Sequence, residues 1–88
     1  MKIKQISYSS HFKRAFKKLP KNLKEEVLER EISFRANCFD PKLKTHKLSG
    51  HLKEFWSFSI TGSYRIMFAI ESDGVVSFID VDDHAIYS

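Results

Sequence analysis

The chain has few of the residues that cross-link or interrupt a small protein. Its 88 residues include one cysteine, two prolines and three glycines. A single cysteine excludes an internal disulfide, and no apolar run approaches the roughly 18 residues that a membrane-spanning helix needs. The N-terminus lacks a signal-like pattern. We therefore expect a cytoplasmic protein that has no membrane partner.

Basic residues are nearly absent from the C-terminal part of the chain. Residues 1–53 hold fourteen Lys and Arg against five Asp and Glu, whereas residues 54–88 hold Arg65 alone against six acids. A basic half indicates an anionic partner such as nucleic acid or an acidic protein. The alternative is that many of these lysines coat two amphipathic helices.

Motifs for metals, cofactors and covalent catalysis are also missing. The four histidines lack the spacing of a zinc site, and there is neither a phosphate-binding loop nor a nucleophile elbow. Cys38 has no evident base beside it and is typical of a small hydrophobic residue at a helix end. We expect no metal and no cofactor.

The N-terminal half predicts a strand and a helical hairpin. Residues 2–8 are β-formers in loose alternation, which indicates an edge strand. Ser9 or Ser10 can cap a first helix that Pro20 ends. Asn22 can cap a second helix that runs to about residue 37. Its apolar positions form one broad stripe that should face the core: Leu23, Val27, Leu28, Ile32 and Phe34.

The C-terminal half predicts three strands after a loop over residues 38–51. From Phe55 the apolar period switches to two, and Thr61-Gly62 and Asp73-Gly74 mark turns. The order is β-α-α-β-β-β. We therefore predict one α+β domain over residues 1–88, a two-layer sandwich in which the N-terminal strand and helical hairpin pack on a mainly antiparallel four-stranded sheet.

Arg65 should lie on the open face of this sheet, with Ser57, Ser59 and Met67. A guanidinium there is available for bidentate contact with a phosphate. The alternative is a cross-strand ion pair with an acid of the neighbouring strands, namely Glu71, Asp80 or Asp82.

Two histidines and a tyrosine are further candidates. His46 lies in a basic loop with Lys44 and Lys47, where it could move a proton near neutral pH or be merely solvated. His84 and Tyr87 are close enough along the tail to act on one substrate, unless Tyr87 docks on the sheet edge while His84 faces water. These residue types permit RNA cleavage through the ribose 2′-OH without singling it out.

The ordered motifs of the second half resemble the RelE/ParE toxin superfamily. They are Lys47-Leu48-Ser49-Gly50, Phe55-Trp56-Ser57, Tyr64-Arg65-Ile66-Met67-Phe68, Asp73-Gly74 and His84-Ala85-Ile86-Tyr87. The segment from Pro41 to Gly50 and the Trp56-Ser57 pair are similar to the YoeB and YafQ branches. The N-terminal strand and hairpin fit the same layout, so the resemblance covers almost the whole chain.

The resemblance implies the toxin of a type II toxin–antitoxin pair, an endoribonuclease that cuts mRNA on the ribosome through the 2′-OH. It implies that Arg65 stabilises the scissile phosphate and that His46 and His84 transfer protons, while Tyr87 is the aromatic residue that closes the motif. The implied partners are the ribosome, mRNA and an acidic, partly disordered antitoxin in a heteromeric complex. Five lysines are the candidates for gripping RNA: Lys17, Lys18, Lys42, Lys44 and Lys47.

Two other functions remain open from the sequence. A ParE-like protein would poison DNA gyrase without cleaving RNA, although ParE-type chains usually have a longer helical hairpin. A toxin-fold protein with a weakened site would retain antitoxin binding only. Trp56 and Phe58 favour the latter reading because RelE has lysines on this strand, and Asp82-Asp83 places two acids beside the phosphate site.

Overall fold

The computed structural model describes residues 1–83 and has the α+β architecture that the sequence predicts. The elements in chain order are β1 (Gln5–Tyr8), α1 (Ser10–Lys17), α2 (Lys21–Ala36), β2 (His46–Lys47), β3 (Trp56–Thr61), β4 (Tyr64–Ser72) and β5 (Val75–Asp83). Short 3-10 turns occur at Pro41–Leu43 and Gly50–Leu52. The strand order is β1-β5-β4-β3-β2, with β1 parallel to β5 and the other pairs antiparallel.

The sheet has five strands, so the expectation of four was wrong by one short strand. β2 contains only His46 and Lys47, which pair with Ser57 and Trp56. It lies inside the segment that the sequence predicts as a loop. Two residues are too few to produce a recognisable alternation, and only the neighbouring strand β3 holds them in register.

Ser9 determines where α1 begins. Its Oγ accepts a hydrogen bond from the Phe12 amide at 2.9 Å and donates one to the Ile79 carbonyl at 2.9 Å. The first bond satisfies an otherwise unpaired helix donor, and the second ties the cap to β5. Of the two serines that could cap α1, Ser9 is therefore the cap.

The second helix begins earlier than the expected Asn22 cap. Pro20 occupies the N-cap position with φ −59° and ψ 156°, and its carbonyl accepts from the amides of Leu23 and Lys24 at 3.0 Å. The proline ring presets this backbone conformation, so the helix begins at Lys21 without a side-chain cap. Asn22 consequently lies inside the first turn.

Phe34 organises the core between the helices and the sheet. It is fully buried and stacks on Phe58 with ring centroids 4.6 Å apart, and it meets Phe68 and Phe78 edge-on at 5.0 and 5.3 Å. α1 packs on β5 and α2 on β3, which covers one face of the sheet. Ring contacts of this kind add to the burial energy of large side chains.

The predicted apolar stripe of α2 is only partly buried. Val27 and Phe34 face the core, but Leu28 is 55% exposed and Ile32 is 71% exposed. The two helices leave a groove between them that is lined by Phe16, Val27 and Leu28, so the outer edge of a broad stripe remains in solvent. The helical hairpin therefore has an apolar surface on its outer side, and the expectation that the whole stripe faces the core was wrong.

Both predicted hairpin turns are present. Gly62 and Gly74 adopt φ of 51° and 77°, and the flanking residues pair as Thr61 with Tyr64 and Ser72 with Val75. Glycine accepts positive φ without steric cost, so these turns set the register of β3, β4 and β5. No helix within residues 1–83 is long and apolar enough to cross a membrane.

Candidate functional site

Arg65 lies near the start of β4, the central strand of the sheet. It pairs with Ser59 on β3 and with Asp82 on β5. Residues two apart on a strand share a face, so Arg65 and Met67 lie on the face opposite the helices. Ser57 and Met67 are buried there, whereas Ser59 and Arg65 are half-buried. The face is therefore less open around Ser57 than the sequence suggests.

The guanidinium of Arg65 carries donors without partners. Nε and Nη1 are shielded from solvent, and neither makes a hydrogen bond. A shielded donor without an acceptor costs free energy that a ligand oxygen can recover. The geometry therefore leaves two donors of a permanent cation without an acceptor.

The acids that could have neutralised Arg65 have other partners. Asp80 Oδ1 lies 3.1 Å from His11 Nε2, and Asp82 Oδ1 accepts from the Asp83 amide at 2.7 Å. Among residues 1–83, no ion pair joins Arg65 to either carboxylate. Glu71, the third candidate, accepts a hydrogen bond from a serine instead. The predicted alternative of a cross-strand ion pair is therefore not formed by these acids.

His46 shares the face of Arg65. It pairs with Ser57, which pairs in turn with Met67 on β4. The His46 ring is exposed, and its Nδ1 lies 3.0 Å from the Lys44 carbonyl oxygen. A carbonyl can only accept, so Nδ1 carries the proton and neutral His46 presents Nε2 as an acceptor.

Ser57 is a polar group on this face that the sequence analysis did not single out. Its side chain is fully buried, and its Oγ has no hydrogen-bond partner. It lies between His46 and Met67 in the sheet. Alternation on β3 predicts the face of Ser57, but only the tertiary structure shows that its hydroxyl is unpaired.

A basic cavity of about 450 Å³ lies at the end of β3. Arg30 of α2 and the loop residues Lys42 and Lys44 line it together with Ser59, the cross-strand partner of Arg65. Two predicted RNA-binding lysines thus converge beside the arginine strand. Potentials from clustered cations add, which raises the local affinity for phosphate.

Arg30 is a member of this cavity that the sequence analysis missed. It follows Val27 by three residues and precedes Phe34 by four, and both of these are buried. Helical spacing therefore placed it on the inward side of α2, where a cation is unusual. A basic residue at an inward-facing position of the helical pattern could therefore have identified Arg30 from the sequence.

The other predicted RNA-binding lysines are dispersed. Lys17 ends α1 and Lys47 lies on β2, both exposed and outside the basic cavity. Lys18 lines a separate cavity between α1 and β5. The structure therefore brings Lys42 and Lys44 together and leaves Lys17, Lys18 and Lys47 elsewhere on the surface.

Two predicted catalytic residues, His84 and Tyr87, lie outside the described residues. Within residues 1–83, no cluster of three or more His, Cys, Asp or Glu has the arrangement to hold a metal ion. Cys38 is fully buried, and burial raises the pKa of its thiol. A raised pKa disfavours the thiolate, so Cys38 is poorly suited to nucleophilic chemistry.

Comparison with solved structures identifies the fold. A YoeB/ParE toxin from Agrobacterium tumefaciens matches with a TM-score of 0.76 at 15% identity, covering 92% of this chain and 99% of that chain. RelE in the RelE–RelB complex of Pyrococcus horikoshii OT3 matches at 0.73 and 18%, covering 96% and 97%. The toxin–antitoxin complex RelBE2 of Mycobacterium tuberculosis matches at 0.66 and 22%, covering 97% and 95%.

No family model and no curated protein matches this sequence. The structural matches extend over almost the full length of both chains. The chain therefore has the fold of the RelE/ParE toxin superfamily, as its motifs predict.

Proposed function

We propose that this protein is the toxin of a type II toxin–antitoxin system and that it acts in the cytoplasm as a ribosome-dependent mRNA endonuclease. The structural neighbours are toxins or toxin–antitoxin complexes. The observation that carries the enzymatic proposal is that Nε and Nη1 of Arg65, on the face opposite the helices, are shielded and have no hydrogen-bond partner. Such donors suit a phosphodiester that gains charge in its transition state.

The proposed reaction uses the RNA's own nucleophile. The ribose 2′-oxygen attacks the adjacent phosphorus as its proton passes to a base, and the bond to the 5′-oxygen breaks as that oxygen receives a proton. The products are a 2′,3′-cyclic phosphate and a 5′-hydroxyl. Arg65 would bind the phosphoryl oxygens where negative charge accumulates.

His46 is the proposed base. Its Nδ1 is committed to the Lys44 carbonyl, so Nε2 is free to accept a proton. Adjacent strands lie about 4.8 Å apart, so the backbones of β2 and β4 are separated by roughly 10 Å and both side chains can reach one phosphodiester. His84 is the proposed acid, and Tyr87 would stack on or hydrogen-bond the substrate.

The proposed RNA grip begins at the basic cavity. Lys42 and Lys44 line it with Arg30, beside Ser59. Phosphate contacts of this type position the RNA and are largely indifferent to sequence. Lys17, Lys18 and Lys47 would extend the contact to the ribosome along the surface.

An antitoxin is the proposed protein partner, in a heteromeric complex. Two of the three solved structures described above are complexes of this kind. The exposed apolar residues Leu28 and Ile32 lie on a helix of a basic hairpin, which suits an acidic segment with an apolar face. Co-expression with a short acidic product of the adjacent reading frame should yield a stable complex, and Leu28→Ser with Ile32→Ser should weaken it.

Replacement of the arginine tests the enzymatic proposal. Arg65→Ala should reduce mRNA cleavage on the ribosome by about 10²–10³-fold, because a transition-state donor of this type is worth that much. The measurements are primer extension on purified ribosomes and growth after induction. Lys53→Ala is the matched control, since it removes one positive charge from an exposed position that forms no ion pair within residues 1–83.

Equal toxicity of Arg65→Ala and the parent would contradict the assignment of Arg65. Filamentation with DNA damage and intact transcripts would instead indicate gyrase as the target. A parent chain that binds antitoxin but neither cleaves mRNA nor arrests growth would indicate a weakened site. Circular dichroism of each variant shows whether the fold is retained.

A further inference from the structure

A second cavity, of about 340 Å³, lies between α1 and the end of β5. One wall is a single face of α1, because His11, Arg14 and Lys18 follow one another at helical spacing around the small residue Ala15. The opposite wall includes Asp80 and Asp82 of β5. Of the residues given a role in the proposed RNA cleavage, only Lys18, a proposed ribosome contact, lines this cavity.

A histidine–carboxylate pair joins the two walls. Asp80 is buried, and its Oδ1 lies 3.1 Å from His11 Nε2 and accepts from the Val81 amide at 2.8 Å. The carboxylate can only accept, so Nε2 carries a proton. This contact links α1 to β5 beside the cavity.

The cavity has separate cationic and anionic sides. Arg14 and Lys18 are exposed and form no ion pair within the described part of the chain. On the other side, Asp82 lines the cavity and uses Oδ1 to accept from the Asp83 amide, so its second oxygen has no role in that bond. The two sides therefore offer donors to an anion and an acceptor to an N–H group.

An apolar floor connects these sides. It consists of Leu19, Pro20, Val81 and the ring of Tyr64. An aromatic ring beside aliphatic carbons is the surface on which an unstacked base lies. The volume falls within the range of small-molecule sites and is sufficient for one nucleotide.

We propose that this cavity binds one nucleotide of an RNA strand, with its phosphate on Arg14 and Lys18, its base on the apolar floor and its base edge toward Asp82. A carboxylate accepts from two adjacent donors, which guanine presents at N1 and N2. Uracil offers one donor flanked by carbonyl oxygens, so the site selects guanine over uracil.

The location links this cavity to the site on the sheet. Asp82 is the cross-strand partner of Arg65, so a base at Asp82 belongs to a nucleotide next to a phosphate at Arg65. The claim that this cavity determines the cleavage position rests on the proposed function. The claim that it binds a free nucleotide does not.

Titration of the purified protein with the four 5′-mononucleotides, followed by amide chemical shifts, tests the proposal. GMP should perturb Ala15, Tyr64 and Val81 and bind at least about tenfold more tightly than UMP, in line with the discrimination of a bidentate base contact. Arg14→Ala with Lys18→Ala should weaken GMP binding at least about tenfold, because it removes both phosphate donors.

Lys13→Ala with Lys24→Ala is the matched control, because it removes equal charge from the hairpin outside this cavity and should leave GMP binding unchanged. Asp82→Asn should retain binding and abolish the preference for GMP. Equal losses in both double variants, or shifts located elsewhere, overturn the site. A preference for GMP that survives Asp82→Asn overturns the role of that carboxylate.

The two proposals fail separately. If GMP binds as described but no mRNA is cut, the cavity stands and the endonuclease proposal falls. If mRNA is cut and cleavage shows no preference that Asp82→Asn alters, the cavity has no role in choosing the cut position. If GMP also fails to perturb the cavity residues, the binding site itself is absent.

Discussion

Arg65 lies between two cross-strand neighbours of different character, Ser59 on β3 and Asp82 on β5. An acid opposite an arginine would ordinarily form a salt bridge, yet the Asp82 carboxylate bonds to the next backbone amide. This local bond competes with the ion pair, as short acidic side chains often do. Nε and Nη1 of Arg65 therefore remain without a hydrogen bond, although acids lie on the neighbouring strand.

Tyr8 gives a prediction of pH dependence at the scale of one residue. Its hydroxyl donates to the Glu31 carboxylate and accepts from Arg35 Nη2 at 3.4 Å. Burial, followed by the hydrogen bond and charge of Glu31, raises the pKa of Tyr8 above its ordinary value. A pKa raised by folding gives stability that is complete below the unfolded pKa of about 10 and is lost as pH rises through the folded value.

Tyr8→Phe should therefore lose less stability than the parent as pH rises above about 10, where tyrosine ionises. Urea unfolding at several pH values between about 9 and about 11, one unit on either side of the ordinary tyrosine pKa, measures this. Glu31→Gln should reduce part of the parent's alkaline loss, since it removes the anion but retains an acceptor. Parallel pH profiles for parent and Tyr8→Phe would exclude the contact as the cause.

For single residues, the sequence predicted which face of the sheet a side chain occupies better than it predicted its hydrogen-bond partners. Alternation along β4 correctly placed Arg65 and Met67 on the face opposite the helices. The unpaired state of Ser57 and the contact between His11 and Asp80 depend on atoms that are far apart in the chain. Periodicity specifies a face of the sheet. A hydrogen bond, in contrast, forms or fails with differences of a few tenths of an ångström in the donor–acceptor distance, which the tertiary structure determines.

The cap of α1 shows how a secondary-structure element is tied to the sheet. Ser9 Oγ accepts from the Phe12 amide and donates to the Ile79 carbonyl. Loss of an N-cap side chain typically costs about 1 kcal/mol. Because Ser9 also anchors α1 to β5, Ser9→Ala should lower the free energy of unfolding by about 1–2 kcal/mol.

Urea denaturation of Ser9→Ala at neutral pH measures this loss. Ser10→Ala is the matched control, since Ser10 is exposed at the first helical position and its replacement should change stability by no more than about 0.5 kcal/mol. If Ser9→Ala and Ser10→Ala lower the free energy of unfolding equally, the cap contact of Ser9 is not the cause of the loss.

Elements defined by a strong local signal were predicted correctly, and those defined by their neighbours were not. Gly62 and Gly74 marked the two hairpin turns because positive φ favours glycine. Strand β2 was missed because only its pairing with β3 defines it. Leu28 and Ile32 are exposed although they continue the apolar stripe of α2, because burial depends on the neighbouring elements, which no local pattern of α2 reveals.

In the folded molecule, basic residues from separate parts of the N-terminal half lie together. Lys42 and Lys44 meet Arg30 in the cavity at the end of β3, beside the Gly62 turn. The sequence predicted a basic first half, but the convergence of a helix and a loop on one cavity required the fold. The proposed RNA binding should therefore be sensitive to salt, because phosphates bound by lysine and arginine release counterions.

Salt dependence tests this distribution directly. Each lysine that neutralises a phosphate of single-stranded RNA contributes about 0.7 to the slope of log affinity against log salt concentration. Lys42→Gln with Lys44→Gln should therefore lower that slope by about 1.4 in fluorescence anisotropy titrations with a labelled single strand. Both lysines are exposed, so the substitutions should leave stability nearly unchanged.

Lys2→Gln with Lys4→Gln provides the comparison at equal net charge. These lysines lie beside the Gly74 turn, at the other end of the β4 strand from Gly62. If general attraction between a basic protein and RNA governs binding, both double variants will lower the slope equally. If the cavity at the end of β3 holds the backbone, only the Lys42 and Lys44 variant will lower it, because screening makes remote charges nearly ineffective beyond about 10 Å.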